Sequence, residues 1–299
     1  MASPDINKDS VVLDFLTPLL QHHRASIAPR RPFILGLTGL QGSGKSYLVS
    51  SLAGALSSAP YNYNVAVFSI DDIYHPFSKL EELRLSHPEN KLLSHRGEPG
   101  THDIELARET FESLLSGRDT PIPSFDKSLN SGKGDRVPRS EWNVVKGPVD
   151  MVIFEGWCVG FRAISDEEVE TKWKSSRDSG NGVIGRHGLQ DILWINERLK
   201  GYDVLTDKFD AFVHLDAEKL DYVYGWRLEQ EHNLIKKKGT GMTDDQVVAF
   251  IDGYIPGYEL YLEKAREGVI RQKGGEKLAG RNLQVVMGKN RETLSTRAF

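Results

Sequence analysis

Eight consecutive residues, 39–46, combine glycines with a lysine and a serine at a spacing suited to holding phosphate groups. The stretch fits the pattern G-x-x-x-x-G-K-[ST] at every fixed position. Glycines let successive backbone N–H groups turn toward one point, which makes a cradle for an anion. The Lys45 ammonium could then reach the outer phosphates, and the Ser46 hydroxyl could bind Mg²⁺. The pattern predicts a nucleoside triphosphate site formed by Gly39, Leu40, Gln41, Gly42, Ser43, Gly44, Lys45, Ser46 and Tyr47.

The residues on both sides of this loop predict the secondary structure that such a cradle requires. Residues 33–38 are a short apolar run typical of a buried strand, and residues 47–56 carry apolar side chains at helical spacing. A helix that begins directly after the loop points its free N–H groups and the positive end of its dipole at the anion. A chance match in a glycine-rich turn would lack this context, so nucleotide binding is favoured.

Carboxylates follow two further apolar runs that are predicted to be strands. Glu155 comes directly after the run 149–154, where an acidic group could hold Mg²⁺ directly or through water. Asp71 and Asp72 follow the run 64–70, where a carboxylate could accept the proton of an attacking hydroxyl group. Neighbouring residues point to opposite sides of an extended chain, so only one aspartate is expected to face the phosphates. The alternative interpretations are a surface carboxylate at Glu155 and a turn or helix cap at the aspartates.

Two polar loops supply candidate contacts for a second substrate. The first carries Arg96, whose guanidinium matches a carboxylate or a phosphate, and Thr101, which could cap the helix predicted over 103–115. An ordinary capped helix with an exposed arginine explains these residues equally well. The second loop, around Asp126 and Lys127, would be interpreted on its own as a solvated turn.

A predicted helix and the basic stretch that follows it are candidates for a lid. The helix, over 217–234, carries Arg227, and the basic stretch covers 236–241. Together they could close cations over the phosphates and exclude water. Asp216 is placed to cap this helix. Surface salt bridges are the alternative interpretation.

Composition limits the classes of protein to consider. The chain has 299 residues, of which 39% are hydrophobic and 27% are charged, and its net charge is −4. This acidic balance argues against a nucleic-acid-binding protein, and no run of about 18 apolar residues predicts a membrane span. Cys158 is the single cysteine, so no disulfide can form within the chain. Without a recognisable signal peptide, we expect a cytoplasmic protein that is a monomer or a weak homodimer.

Strands and helices alternate along the chain. Beside the three strands above, runs at 211–215 and 282–287 predict a fourth and a fifth strand, and helical patterns separate most of the five. This alternation is typical of an α/β fold with a doubly wound, mostly parallel sheet of about five strands flanked by helices. We expect a single domain over 1–299, with an N-terminal helix and connector at 1–32, a core at 33–287, and mobile loops at 171–188 and 236–241.

Five short strings together resemble the D-glycerate 3-kinase family. They are the phosphate loop at 39–46, Ser-Ile-Asp-Asp-Ile-Tyr at 69–74, Arg-Gly-Glu-Pro-Gly-Thr-His-Asp at 96–103, Phe-Asp-Lys-Ser at 125–128 and Phe-Glu-Gly-Trp-Cys-Val-Gly-Phe at 154–161. The chain looks most like the fungal ATP-dependent kinases, which are related to uridine kinase, phosphoribulokinase and pantothenate kinase. The phosphate loop is common to many proteins, whereas the strings at 96–103 and 154–161 are much more specific.

The resemblance implies a P-loop kinase fold with a helical lid, and it implies ATP and Mg²⁺ as cofactors. Asp71 corresponds to the base of relatives, Glu155 to the acidic residue after the third strand, and Arg227 to a lid arginine. With Lys45 these are the implied catalytic residues, and Ser46 and Glu155 are the implied metal ligands. The residues implied at the acceptor site are Asp71, Tyr74, Arg96, Thr101, His102, Asp103, Asp126 and Lys127.

The implied reaction is transfer of the γ-phosphoryl group of ATP to a primary hydroxyl group, with the 3-hydroxyl of D-glycerate as the best candidate. The sequence after the second strand is Asp-Asp-Ile-Tyr, whereas switch GTPases have D-x-x-G at this position. This difference favours phosphoryl transfer to an acceptor over the timed hydrolysis of a bound nucleotide. A nucleoside, pantothenate or a sugar is an alternative acceptor. An ATP-binding regulatory protein with little transfer activity is the alternative of another class.

Overall fold

A computed structural model describes residues 7–25, 31–271 and 279–299. Its ten described strands are β1 (Phe33–Gly39), β2 (Val65–Ser69), β3 (Thr120–Pro121), β4 (Phe125–Asp126), β5 (Asp135–Arg136), β6 (Val144–Val145), β7 (Met151–Gly156), β8 (Ala211–Ala217), β9 (Asn282–Met287) and β10 (Thr293–Ala298). Six of them form a central sheet in the order β10-β9-β8-β1-β7-β2, and the other four form two short antiparallel pairs. All neighbours in the sheet are parallel except β9 and β10. The chain therefore has the α/β architecture that its alternating pattern predicts.

Helices flank this sheet and connect most of its strands. They are α1 (Lys8–Ala25), α2 (Lys45–Ser57), α3 (Phe77–Ser86), α4 (Ile104–Leu115), α5 (Asp166–Ser179), α6 (Leu189–Lys200), α7 (Asp203–Thr206), α8 (Tyr222–Lys238), α9 (Asp244–Asp252) and α10 (Ile255–Arg266). In α4, Ala107, Phe111 and Leu114 recur at helical spacing and are buried. Within the described residues, none of the helices combines the length and the apolar composition that a membrane span needs.

The carboxyl ends of three adjacent strands position the candidate site. Every residue of β1 is buried, as expected for a parallel strand with helices on both faces of the sheet. Leu37 of β1 and Ser69 of β2 both pair with Glu155 of β7, so the three strands end side by side. The segments that follow them must therefore meet at one edge of the sheet, where ligands bind in open α/β folds.

The sheet has one strand more than the five predicted. All five predicted strands are present, and β10 extends the sheet beyond the predicted end of the core at residue 287. Five of the six residues of β10 are exposed, and their side chains are mostly polar. An exposed edge strand has no run of buried apolar residues, so hydrophobic patterning gave no signal for it.

Of two segments predicted to be mobile loops, 171–188 is mostly helical and 236–241 is helical over its first half. The prediction of a loop at 171–188 is wrong over most of α5, which begins after the cap Ser165 and ends at Gly180. Val169 is the buried residue of this helix, so the segment lacks the apolar periodicity that would have revealed it. Residues 236–238 are the last turn of α8, which ends at Gly239 with a φ of 78°.

Two predicted helix caps are also wrong. Asp216 lies within β8, and α8 begins six residues later, after Asp221. The Asp216 carboxylate instead accepts hydrogen bonds from Arg266 at 2.7 and 2.9 Å. Asp103, not Thr101, caps α4 by accepting a hydrogen bond from the Leu106 backbone N–H at 3.1 Å.

Candidate active site

A cleft of about 1370 Å³ opens at the carboxyl ends of β1, β2 and β7. Lys45 at the start of α2, Asp71 after β2 and Glu155 in β7 all line it. Side chains of α3, α8 and the hairpin formed by β4 and β5 line the rest of the cleft. The structure therefore brings the three acidic and basic residues predicted from separate parts of the sequence to one site.

The phosphate loop has a backbone conformation that its glycines permit. Gly42 has a φ of 76° and Gly44 a φ of 91°, values that side chains disfavour. A Cβ atom at Gly42 would lie 2.7 Å from the Trp226 Cβ atom of α8, so this glycine also allows close packing. Because α2 begins at Lys45, directly after Gly44, its free N–H groups face the loop as an anion site requires.

The Lys45 side chain turns back over its own loop. Its ammonium donates hydrogen bonds to the carbonyl oxygens of Gly39 at 2.8 Å and Leu40 at 3.0 Å. Desolvation lowers the pKa of Lys45, although the negative charges of Glu155 and Asp71 act in the opposite direction. Ser46 and Tyr47, the next two residues, are exposed and line the cleft.

Asp71 and Asp72 lie in the short 3₁₀-helix Ile70–Ile73, which turns the chain directly after β2. The Asp72 carboxylate accepts a hydrogen bond from the Ser69 backbone N–H at 2.8 Å and so completes a capping box. Desolvation raises the pKa of Asp72 to about 6. Asp71 lines the cleft, so a helical turn rather than an extended chain separates the directions of the two carboxylates.

Two donors hold the Asp71 carboxylate. The Tyr74 hydroxyl donates a hydrogen bond to Asp71 Oδ1 at 2.8 Å, and the Lys127 ammonium donates to Oδ2 at 2.5 Å. Desolvation acts to raise the pKa of Asp71, but the charge and hydrogen bond of Lys127 and the hydrogen bond of Tyr74 lower it below its usual value. Asp71 is therefore held as a carboxylate at neutral pH, the form that a general base requires.

Glu155 lies between the ends of β1 and β2 and shares the cleft with Ser46. Desolvation raises its pKa, and the positive charge of Lys45 acts against this rise. In the described part of the chain, no group of three or more His, Cys, Asp or Glu side chains could hold a metal ion by itself. A hydroxyl and a carboxylate do fit Mg²⁺ that is bound mainly through nucleotide phosphates, since that ion needs few protein ligands.

Arg96 binds the loop between β4 and β5. It donates hydrogen bonds to the carbonyl oxygens of Gly132 at 2.9 Å and Lys133 at 2.7 Å. Its guanidinium also lies over the rings of Tyr74 and Phe125, 5.8 and 5.4 Å from their centroids. Arg96 lines the cleft, but much of its hydrogen-bonding capacity serves to position the hairpin that carries Lys127.

Three residues predicted at the acceptor site do not line the cleft, namely His102, Asp103 and Asp126. His102 is 3% exposed, its Nδ1 atom lies 2.6 Å from the Tyr202 hydroxyl, and its ring stacks on Tyr74. Asp103 pairs with Arg136 at 2.9 Å in addition to capping α4. Direct contact with an acceptor is therefore not the role that these positions favour.

Asp126 and Thr101 are likewise occupied by local hydrogen bonds. Asp126 Oδ1 accepts hydrogen bonds from the backbone N–H and the hydroxyl of Ser128 at 2.8 and 2.6 Å, and Asp126 does not line the cleft. Thr101 does line the cleft, but its hydroxyl donates to the Glu98 carbonyl oxygen at 2.7 Å and accepts from the Gly97 N–H at 3.1 Å. Both residues stabilise the loops around the site.

Arg227 lies on α8, the predicted lid helix, and contacts α9. It lines the cleft and pairs with Glu231, also of α8, at 2.6 Å. Glu231 in turn accepts a hydrogen bond from the Met242 backbone N–H at 2.8 Å, just before α9. The Arg227 guanidinium lies 5.5 Å from the centroid of the Phe250 ring in α9. The predicted lid arginine is thus part of a packed contact between α8 and α9.

Two residues that hold the phosphate loop were not predicted from the sequence. Arg291, in the turn between β9 and β10, donates a hydrogen bond to the Gly42 carbonyl oxygen at 2.7 Å. Tyr258 of α10 accepts a hydrogen bond from the Gln41 backbone N–H at 3.2 Å and donates one to the Gln41 side chain. Both lie more than 200 positions from the loop, and neither belongs to a local motif.

Comparisons with known proteins agree with this geometry. The chain is 39% identical to an uncharacterized kinase, mug58, of Schizosaccharomyces pombe, over 78% of this chain and 82% of that protein. It is 34% identical to the Saccharomyces cerevisiae protein named "Probable ATP-dependent kinase TDA10", over 86% of this chain and 88% of that protein. The structure matches that of D-glycerate 3-kinase from Cryptococcus neoformans with a TM-score of 0.85 and 34% identity, over 97% of this chain and 99% of that chain. The sequence matches no model of a protein family.

These relatives share more than the phosphate loop with this chain. Each match covers at least 78% of both chains, far more than the eight residues of the phosphate loop. The protein is therefore an ATP-dependent small-molecule kinase with a P-loop kinase fold. The chain belongs to the D-glycerate 3-kinase family, in the branch of fungal ATP-dependent kinases.

Proposed function

We propose that this protein transfers the γ-phosphoryl group of ATP to the 3-hydroxyl group of D-glycerate. The observation that carries the proposal is the position of Asp71, which lines the same cleft as Lys45 and has a lowered pKa. A base opposite a phosphate loop suits transfer to a hydroxyl group. The 34% identity to a D-glycerate 3-kinase over nearly the whole of both chains supports this acceptor.

In the proposed reaction, the phosphate loop and Lys45 hold the β- and γ-phosphates. Asp71 accepts the proton of the 3-hydroxyl group while the oxygen attacks the γ-phosphorus in line. Ser46 and Glu155 would hold Mg²⁺, which neutralises charge on the phosphates when it is bound. Arg227 lines the same cleft, and in this proposal it leaves Glu231 to neutralise charge on the phosphates.

The acceptor end of the cleft suits a carboxylate. We take this end to be the part of the cleft lined by α3 and the β4–β5 hairpin. Arg84, Arg96, Lys127 and Lys133 are its cationic side chains; Glu81 pairs with Arg84 and Lys133, and Asp71 pairs with Lys127. An excess of positive charge at a partly exposed site attracts a small anion and lowers its KM. A neutral acceptor such as a nucleoside or a sugar would not use this charge.

The test is ADP release by the purified protein with ATP and Mg²⁺ against a panel of acceptors. D-glycerate is compared with L-glycerate, uridine, pantothenate and ribose, and ³¹P NMR identifies the phosphorylated carbon atom. We expect D-glycerate to give the highest kcat/KM and the 3-phosphate as product, and Lys45→Met to abolish release. A preference for another acceptor, or no stimulation by any of them, would contradict the proposal.

We further propose that the enzyme acts in the cytoplasm as a monomer or a weak homodimer. The buried Cys158 thiol supports a protein that does not depend on oxidation. Fluorescence microscopy of a tagged chain and sedimentation at several concentrations test these two points. A stable tetramer or a location in an organelle would contradict them.

A further inference from the structure

Both oxygens of the Asp71 carboxylate accept a hydrogen bond from a side chain. Tyr74 occupies Oδ1 and Lys127 occupies Oδ2. A hydroxyl group that gives its proton to Asp71 must form its own hydrogen bond to one of these oxygens. When Asp71 takes up that proton it loses its negative charge, so the ion pair that holds the Lys127 ammonium at Oδ2 is lost during transfer.

The surroundings of the two donors differ. Tyr74 is 2% exposed, its ring stacks on His102 at 4.6 Å between centroids, and it packs edge-on against Phe125 at 5.1 Å. The Lys127 side chain is 55% exposed and extends from the turn that follows β4. Moving Tyr74 would disrupt buried aromatic packing, whereas Lys127 can rotate into the open cleft at little cost.

We propose that Lys127 is a catalytic residue that exchanges partners during the reaction, from Asp71 Oδ2 to the transferring phosphoryl group. The proposal rests on the proposed function, because it assumes that Asp71 receives the acceptor proton. The acceptor hydroxyl displaces the ammonium from Oδ2 and takes its place. Tyr74 keeps Oδ1 fixed and so acts as a positioning residue.

The exchange balances charge at each step. The O–H bond of the acceptor breaks and its proton passes to Asp71 Oδ2, while a new bond forms from the oxygen to the γ-phosphorus. The bond between the γ-phosphorus and the bridging oxygen breaks, and ADP leaves. Lys127 first neutralises the Asp71 carboxylate, and then, as that carboxylate becomes neutral, it neutralises charge on the phosphoryl oxygens.

Lys127 is close enough to the phosphate loop for this second role. Its charge acts on Lys45, Asp72 and Glu155 as well as on Asp71, so all of these groups belong to one electrostatic cluster. Among the described residues, the ionisable groups that interact with Asp71 from its own turn are Asp72 and Tyr74. From other elements they are Lys45 at the start of α2, Glu155 in β7, Cys158 after β7, Lys127 after β4, His102 before α4 and Tyr254 before α10.

The ion pair also has a consequence for ATP in the absence of acceptor. While Lys127 pairs with Asp71, its positive charge lowers the pKa of the carboxyl group and makes it a weaker base toward water. Asp71 becomes a stronger base only when an acceptor displaces the lysine. Lys127 should thus couple ATP use to the presence of an acceptor, a task that a merely structural surface lysine would not perform.

The experiment compares ADP release with and without acceptor for the wild type, Lys127→Met and Lys127→Arg. Lys146→Met is the matched control, because Lys146 is a lysine of the same segment that is 78% exposed, pairs with Asp119 and lies outside the cleft. Circular dichroism and Tm check that each variant is folded. The pH dependence of kcat/KM and a ¹³C NMR titration of the Asp71 carboxyl group provide readouts of the base itself.

We expect Lys127→Met to lower acceptor-dependent turnover about 10²-fold and to lower the ratio of acceptor-dependent to acceptor-independent ADP release at least as strongly. The acid limb of the pH profile and the titration of Asp71 should both move to higher pH, because the favourable charge is lost. Lys127→Arg should recover part of the ratio, and Lys146→Met should behave as the wild type.

A Lys127→Met enzyme with the wild-type ratio and the wild-type acid limb would overturn the exchange of partners. A wild type that prefers another acceptor would instead overturn only D-glycerate as substrate, and the same ratio would then be measured with that acceptor.

Discussion

Asp71 and Asp72 are consecutive residues, but only the carboxylate of Asp71 lines the cleft. Asp72 accepts a hydrogen bond from the Ser69 backbone N–H and caps the short helix that carries both residues. The cap fixes the direction of the turn, and the turn presents Asp71 to the phosphate loop. One aspartate thus positions the other, which gives the pair distinct roles in a substitution experiment.

We expect Asp71→Asn to lower kcat by about 10²–10⁴-fold, because an amide cannot accept the acceptor proton. ATP binding, measured by calorimetry, should remain close to that of the wild type. Asp72→Asn keeps an oxygen that can accept the Ser69 hydrogen bond, so it should retain most of the turnover. Equal losses of kcat in the two variants would contradict the assignment of Asp71 as the base.

Arg96→Ala should raise the KM for the acceptor about 10-fold or more, because the loop that carries Lys133 and the neighbouring Lys127 loses two hydrogen bonds. The KM for ATP should change little, since Arg96 has no contact with the phosphate loop among the described hydrogen bonds. Steady-state kinetics with each substrate varied in turn measure both constants. Arg139→Ala is the control, because Arg139 lies over Trp142 outside the cleft. A rise in the KM for ATP alone would contradict this role.

Gly42→Ala should destabilise the protein by about 1–3 kcal/mol and weaken ATP binding. Gly42 has a φ of 76°, and a Cβ atom there would lie 2.7 Å from Trp226 Cβ and 2.9 Å from the Trp226 carbonyl carbon. Denaturant unfolding and calorimetry measure the two effects. Gly54→Ala in α2 is the control, because a Cβ atom there meets no atom within 4 Å. That substitution should stabilise the helix by about 0.5–1 kcal/mol, and similar results for the two variants would contradict the packing argument.

Glu98→Gln should stabilise the protein at neutral and alkaline pH. Glu98 is 1% exposed, and among the described atoms its Oε1 has no hydrogen-bond partner. Desolvation raises the pKa of Glu98 well above 4.5, so the folded state holds a neutral acid while the unfolded chain ionises. Stability from this group is complete below pH 4.5 and decreases as pH rises toward the folded pKa.

Unfolding of the wild type and Glu98→Gln at several pH values between about 4 and 9 tests this prediction. The glutamine variant lacks the titration, so its advantage should be small at the acid end and grow as pH increases. Glu263→Gln is a control, since that carboxylate is exposed and pairs with Lys172 on the surface. A constant difference between wild type and Glu98→Gln across the range would contradict a neutral buried acid.

The sequence predicts the buried parallel strands and the phosphate loop because both depend on local patterns. β9, for example, has the bounds 282–287 that its apolar run predicts. The sequence does not predict β10 or α5, because their side chains are mostly exposed and therefore show no apolar period. Residue types alone also did not show that Arg96 binds backbone carbonyls, because a guanidinium donates equally well to a carboxylate, a phosphate or a peptide oxygen.

The site residues also fall into those whose position could be predicted from the sequence and those whose role could not. Lys45, Asp71 and Glu155 follow strands whose ends the sheet brings together, so their meeting follows from topology. His102, Asp103 and Asp126 belong to specific strings, but specificity of a string does not tell which of its side chains face a ligand and which stabilise a loop. That distinction depends on contacts such as the one between His102 and Tyr202, which are 100 positions apart.

Arg291 and Gly42 are 249 positions apart and share a hydrogen bond. During synthesis on the ribosome, the phosphate loop emerges 249 residues before Arg291, which supports it from the turn before β10. A nascent chain should therefore acquire tight nucleotide affinity late, after its sheet has been completed at both edges. Nucleotide present in the cell would then favour molecules in which the turn that carries Arg291 is in place over molecules in which it is not.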